Sequence, residues 1–192
     1  MHTIEKQFPD WRNLTIHESS PAVRGASEKL LRQCSKYVSS QYHPNEPFGS
    51  IVEMHRNENL EEQTFADESF DIVISQDVME HIYNPSKAFS EIARTLKKGG
   101  AHIFTVPIVN KHHKTEVWAT LGENGEPVFL KSPEYHHNPV DVKGSPVTMH
   151  WGFDIVEYIR VHSGLETTIL HMDDLSLGIR AEYIEVLVSV KK

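Results

Sequence analysis

Residues 64–105 read TFADESFDIVISQDVMEHIYNPSKAFSEIARTLKKGGAHIFT. Phe70 to Ile74 is a short apolar run rich in β-branched residues, introduced by Asp67, Glu68 and Ser69, and it reads as a buried strand. The helix after it is announced by its ends. Asn84 is placed to cap it with Pro85 at the first helical position, Phe89, Ile92, Ala93 and Leu96 share one face, and Lys97, Lys98 and Gly99 read as a positively charged last turn with a C-cap glycine. Ala101 to Val106 is a second apolar strand. Strand, helix and strand within about 37 residues make a right-handed parallel crossover, whose ligand crevice lies at the carboxyl ends of the strands.

Outward from this unit, residues 1–12 read as a lead or short helix against the sheet. Leu14 to His17 is a first strand, Glu18 to Gly25 a turn, and about Pro21 to Lys36 a helix with Val23, Leu30 and Leu31 on one side. Tyr37 to Tyr42 and Ser50 to Met54 are the next strands. Strands one to three followed by the crossover give a doubly wound, three-layer α/β class. Residues 108–150 are the least regular part and leave from the carboxyl edge of the fifth strand, so they should overhang the crevice as a lid. Within them Val117 to Leu121 and Pro127 to Leu130 flank a hairpin turn through Asn124 and Gly125. Trp151 to Gly164 is an amphipathic helix stopped by its glycine, and Glu166 to His171 and Tyr183 to Val190 are two closing strands.

The wording of the central stretch is itself informative. TFADESFDIVISQDVMEHI, then AFSEIARTLKKGG and HIFTVP, resemble the second half of the class I S-adenosylmethionine-dependent methyltransferases, in the type 11-like group whose motif after the fourth strand reads like DVLEH. With the flanking matches the resemblance covers most of the chain. It implies a Rossmann-like fold on a mostly parallel seven-stranded sheet with an antiparallel last strand, S-adenosylmethionine as cofactor, and an enzyme of methyl transfer. The first loop departs from the family. IHESSPAVRG keeps an acidic residue and one late glycine, with serines where the glycine-rich loop is expected, and it looks like the His-x-x-Pro-type turn of a related subgroup.

Composition narrows the class. One domain over 1–192 is expected from the 192 residues, and 27 acidic against 19 basic residues, a net charge near −8, argue against a sequence-independent grip on nucleic acid or anionic lipid. No apolar run reaches the ~20 residues a bilayer crossing needs, and the amino terminus lacks the apolar core of a signal peptide. The single cysteine, Cys34, rules out an intrachain disulfide and suits the cytoplasm. In its helix beside Leu30 and Leu31 it reads as a packed thiol. The expected partner is a small or medium-sized methyl acceptor, such as a hydroxylated metabolite or saccharide; a module of the same fold without catalysis is the alternative.

By resemblance, Glu18 faces the methionine end of the cofactor with Ser19, Ser20 and Gly25 around it. Gln41 stands where the family has an acidic group for the ribose hydroxyls, Asn59 with Leu60 where the adenine amine is met, and Gln76 and Asp77 border the sulfonium. Asp77 and His81 are the candidate catalytic residues, His81 as an acceptor-side base or orienter. The offsets in Asp77-x-x-Glu80-His81 put three side chains on one face of a helical turn, a spacing able to supply ligands to a divalent ion. In some methyltransferases with a similar ExxEH pattern a later lid histidine joins such a metal, a role the resemblance offers to His113, His136 or His137. A site without metal is the favoured reading. Of the 13 histidines, the doublets His112-His113 and His136-His137 lie in the lid, where at most one of each pair reaches a common site, and Asp141 reads as exposed. Trp118 and Trp151 either line an acceptor pocket or fill core space.

Overall fold

The computed structural model describes residues 1–22, 24–138 and 142–192, so the readings of Val23 and Asp141 lie outside the described residues. The central sheet is built from β1 (Thr15–Ser19), β2 (Lys36–Gln41), β3 (Ile51–Val52), β4 (His55–Asn57), β5 (Phe70–Gln76) and β6 (Leu96–Thr105). Short lid strands follow: β7 (Glu116–Val117), β8 (Ala119–Leu121), β9 (Pro127–Phe129), β10 (Tyr135–His136), β11 (Ser145–Pro146) and β12 (Met149–His150). Two closing strands, β13 (Glu166–His171) and β14 (Glu185–Val190), rejoin the sheet. Its order is β13-β14-β6-β5-β1-β2-β4-β3. β1 runs parallel to β2 and β5, and β5 to β6, while β14 runs against β6.

The sheet therefore has the mostly parallel frame and reversed last strand expected from the sequence. It has eight strands because the segment read as one strand at Ser50 to Met54 is instead a hairpin. Glu53 takes a left-handed φ of 57°, so Ile51 and Val52 fold back antiparallel on β4, and only β4 pairs with β2.

Among the described residues four α-helices cover the two faces: α1 (His2–Gln7), α2 (Ala26–Gln33), α3 (Pro85–Thr95) and α4 (Ile155–Ser163). Strand alternation decides what each face buries. Ile72, Ile74, Ala101 and Ile103 point to the α1 and α2 side with Ile4, Trp11 and Leu30, while Val73 and Phe104 point to the α3 and α4 side with Phe89, Ile92, Trp151 and Ile159. Cys34 is buried as read, its thiol pointing at the Leu14 carbonyl. Leu31, placed by sequence on the apolar side of its helix, is exposed, because it lies one helical step, about 100°, round from the fully buried Leu30.

Helix α3 starts as predicted, with the Asn84 side chain accepting from the Lys87 N–H. It ends earlier than predicted. Leu96 is already extended and pairs with Phe70, so Lys97, Lys98 and Gly99 belong to β6. Gly99, at φ 78°, gives its N–H to the carbonyl of Lys191, and this long-range pairing replaces the helix cap. Gly164 does stop α4, in the left-handed region at φ 73°.

The candidate active site

The doubly wound frame reverses direction between β1 and β5, which places a crevice at the carboxyl ends of these two neighbours. Both strands end in a strained residue. Ser20 follows β1 at φ 53° and Asp77 follows β5 at φ 52°, a conformation that non-glycine residues adopt at a cost and that clusters at functional sites. Asp77 is exposed and accepts from the Thr105 hydroxyl at 2.9 Å. The first turn of α2 has Gly25 at its N-cap with no side-chain cap, so its N–H groups face outward.

Glu18 differs from expectation. It is fully buried, and its carboxylate accepts from the Ser27 hydroxyl at 2.7 Å, the Tyr37 hydroxyl at 2.7 Å and the Gln76 amide at 2.8 Å. Burial and the adjacent carboxylate push the Tyr37 phenol well above its usual range, so it stays a donor to Glu18. The acidic residue thus braces the strand end against α2 and β5, with no side left for a ligand in this conformation. Gln41 ends β2 half-buried, its side-chain amide without a partner among the described residues. Asn59 accepts from the Glu61 N–H at 2.9 Å, and Leu60 is packed in the core. Beside Gln76 is a cavity of about 80 Å³ bounded also by Met1, Ala26, Thr105 and Val186. That is smaller than the roughly 300 Å³ at the low end of enclosed small-molecule sites. A nucleoside would have to lie in the open groove above the strand ends.

The lid meets the turn after β5 and assembles a second constellation. Thr148 donates its N–H to the Glu80 carbonyl at 2.8 Å and its hydroxyl to the Ile82 carbonyl at 2.7 Å. Trp151, fully buried, is therefore a core residue rather than part of an acceptor pocket. The turn at Met79–His81 is a single 3₁₀ turn, and Asp77 lies on the strained residue before it. The single face predicted for Asp77, Glu80 and His81 is therefore not formed: Glu80 and His81 converge, and Asp77 is drawn to Thr105.

His136 completes the group from the lid. Ligand atoms of Glu80, His81 and His136 all lie within 4.8 Å of one another. His81 Nδ1 donates to the Pro146 carbonyl at 2.9 Å, and its Nε2 lies 3.7 Å from Glu80 Oε1. His136 Nδ1 lies 3.8 Å from the same oxygen, and its Nε2 lies 3.4 Å from Glu134. Glu134 also holds His150 at 3.0 Å, and His150 stacks on Trp118 at 3.7 Å between ring centroids. Gly144 permits the hairpin that carries His136, since a Cβ there would sit 2.5 Å from the His136 carbonyl. Among the described residues neither oxygen of Glu80 has a hydrogen-bond partner on another residue, and burial raises its carboxyl to about 8. Burial lowers His81. His112, His113 and His137 are exposed.

Sequence reasoning brought Glu80, His81 and His136 forward but missed Glu134 and His150, whose contacts depend on how β10, β11 and β12 fold over the turn. It also missed Ser27 and Tyr37, the partners of Glu18, because they come from separate elements. A hydroxyl one turn into α2 and a tyrosine at the start of β2 were the available signals.

Residues 26–104 match the family model described as a methyltransferase domain, and no curated protein matches the chain. Among solved structures, an S-adenosylmethionine-dependent methyltransferase from Mesorhizobium loti is similar over 100% of this chain and 96% of its own, with a TM-score of 0.63 at 14% identity. The YcgJ protein from Bacillus subtilis gives 0.59 at 11% identity over 100% and 97% of the two chains. Phosphoethanolamine N-methyltransferase 2 of Haemonchus contortus, solved with S-adenosyl-L-methionine, gives 0.57 at 14% identity, covering 98% of this chain and 51% of that one. Identities this low establish the fold and leave the acceptor open. Residues 26–104 thus resemble a methyltransferase domain, and the fold of the chain is similar to that of solved S-adenosylmethionine-dependent methyltransferases.

Proposed function

We propose that the chain is an S-adenosylmethionine-dependent methyltransferase acting on a small or medium-sized hydroxylated acceptor, such as a polyol metabolite or saccharide. The observation that carries it is the pair of left-handed residues, Ser20 and Asp77, at the ends of adjacent strands where the sheet changes direction. When bound, the cofactor supplies an electrophilic methyl on a sulfonium. The rest is alignment and exclusion of water. The uncapped first turn of α2, entered through Gly25, suits the carboxylate end, with the Ser19-Ser20 turn beside it. Gln41 suits the ribose hydroxyls and Asn59 the adenine amine, over the apolar floor that Leu60 adds. Gln76 and Asp77 border the methyl, and His81 orients the acceptor from the lid side. Glu18 acts as a positioning group for Gln76.

The acceptor class follows from the wall facing it. Glu80, His81, Glu134, His136 and His150 offer hydrogen-bonding groups in place of an apolar surface, which favours hydroxyls. Among the described residues no helix is long and apolar enough to cross a membrane. The buried Cys34 thiol fits a reducing cytoplasm. The test is transfer of labelled methyl from S-adenosylmethionine to a panel of hydroxylated and amine acceptors. Label on a hydroxylated acceptor, lost in His81→Ala, supports the reading.

A second reading, a module of the same fold without catalysis, is favoured by the saturated Glu18 carboxylate and the small cavity beside Gln76. It predicts cofactor binding or partner binding with no label transferred to any acceptor.

A further inference from the structure

Two histidines and a glutamate that share a corner of a protein can be holding a proton, a substrate or an ion, and the direction of their lone pairs separates these. His81 spends its Nδ1 proton on the Pro146 carbonyl, so its Nε2 is an acceptor, and that atom faces Glu80 Oε1 at 3.7 Å. The side of His136 toward Glu134 is its Nε2, a fitting place for its proton, and its Nδ1 then presents a lone pair to the same Glu80 oxygen at 3.8 Å. Glu80 is 2% exposed, and among the described residues neither of its oxygens has a hydrogen-bond partner on another residue. Three groups with lone pairs thus face one another at distances too long for a hydrogen bond between them. Such an arrangement leaves a buried carboxyl unsatisfied, a deficit that a cation at their centre would remove.

We propose that Glu80, His81 and His136 form a binding site for a first-row divalent transition ion, which fastens the lid to the turn after β5. Ligands about 2.1 Å from a common ion stand about 3.0 to 3.5 Å apart at octahedral or tetrahedral angles. The observed 3.7 and 3.8 Å need a few tenths of an ångström of closure, and the edge between the two histidines, within the 4.8 Å that bounds the group, needs up to about 1.5 Å. The imidazole rings lie edge to face at 5.0 Å and 89°, which lets two nitrogens converge without ring contact. Two imidazoles and one carboxylate suit manganese, iron, cobalt or zinc; magnesium and calcium prefer oxygen alone. Such a set occupies one side of the ion and leaves the other positions open.

The surroundings are those of a supported metal site. Each ligating histidine has an oxygen acceptor on its far nitrogen, Pro146 for His81 and Glu134 for His136. Glu134 is held in turn by His150, which rests on Trp118. Two ligands come from residues 80 and 81 and the third from β10, so an ion here joins segments more than fifty residues apart. His136 is partly exposed on the lid, which gives the ion a route in. The site shares residues with the wall that faces the acceptor, but ion binding itself does not depend on methyl transfer; only the further step, that open ion positions take acceptor hydroxyls, rests on that reading.

The experiment uses the full chain, stripped with chelator, titrated calorimetrically with manganese, cobalt and zinc in turn, with the visible spectrum of the cobalt form recorded. The expected result is one ion per chain for at least one metal. His136→Ala and Glu80→Gln should each weaken binding by at least about a hundredfold and Glu134→Gln by about tenfold, while His137→Ala should leave it unchanged. Amide exchange through residues 134–150 should slow when the ion is added. If Glu80→Gln fails to fold, His136→Ala on the partly exposed lid decides alone. No saturable binding of any of the three ions, or binding that His136→Ala leaves intact, overturns the site. Cofactor binding is read with S-adenosylhomocysteine in the presence of chelator, so either claim can fail without the other.

Discussion

Two carboxylates buried within a few residues of the same strand ends are treated in opposite ways. Glu18 accepts from three side chains of its own protein and has become scaffold. Glu80, equally withdrawn from water, accepts from no other residue among those described. Burying a carboxyl without partners is costly, and a fold keeps it only where something else supplies the missing interaction. The difference teaches where to look for ligands: at the group the chain leaves unsatisfied, more than at the acidic residue that a family pattern would pick out.

The comparison breaks most visibly at Glu18. Glu18→Ala should cost about 3–5 kcal/mol, because Ser27, Tyr37 and Gln76 all lose an acceptor in a buried site; urea unfolding of the two proteins gives the value. A loss below about 1 kcal/mol would mean the carboxylate is not structural. The two sheet histidines sharpen the picture from another side. His17 and His102 bond to Ser40 and Ser75 through Nε2, leave Nδ1 without a partner among the described residues, and are held neutral by burial down to about 3. The unfolded chain takes up these protons near 6.5 and the folded chain only near 3. Their contribution to stability is therefore complete above pH 6.5 and is lost as the pH falls. Each should cost about 1.4 kcal/mol per unit, about 2 kcal/mol at pH 5, and melting as a function of pH in His17→Leu should show a shallower acid slope.

Glu80→Gln tests the opposite sign. With chelator present it should leave stability unchanged or raise it by about 1 kcal/mol, since no bond to another residue is lost. A drop of the size expected for Glu18 would show that Glu80 has a structural partner. The smallest effect is backbone relief. Ser20→Gly removes a left-handed serine but adds unfolded-state freedom, for a net gain of at most about 1 kcal/mol, read as a small rise in melting temperature.

Much of the frame was legible because it is written locally. The alternation in Phe70 to Ile74 and the Asn84-Pro85 start of α3 need nothing distant, and the reversed closing strand followed from the family resemblance. The end of α3 was misread because Gly99 looks like a helix cap until Lys191, from the far end of the chain, pairs with it. Site residues were legible in proportion to how local their geometry is. Glu80 and His81 follow from their adjacency, whereas a left-handed backbone that no spacing rule anticipates takes Asp77 off the face predicted for all three. Glu134 and His150 become neighbours only once the lid has folded over the turn.

The central claim is that the groove above β1 and β5 holds an adenosyl cofactor despite its serine-built turn and committed Glu18. Calorimetric titration with S-adenosylhomocysteine reads this directly. One saturable site per chain, weakened at least about tenfold when Gln41 and Asn59 are both changed to alanine, is the predicted result; a flat titration with a folded, monodisperse protein would contradict it.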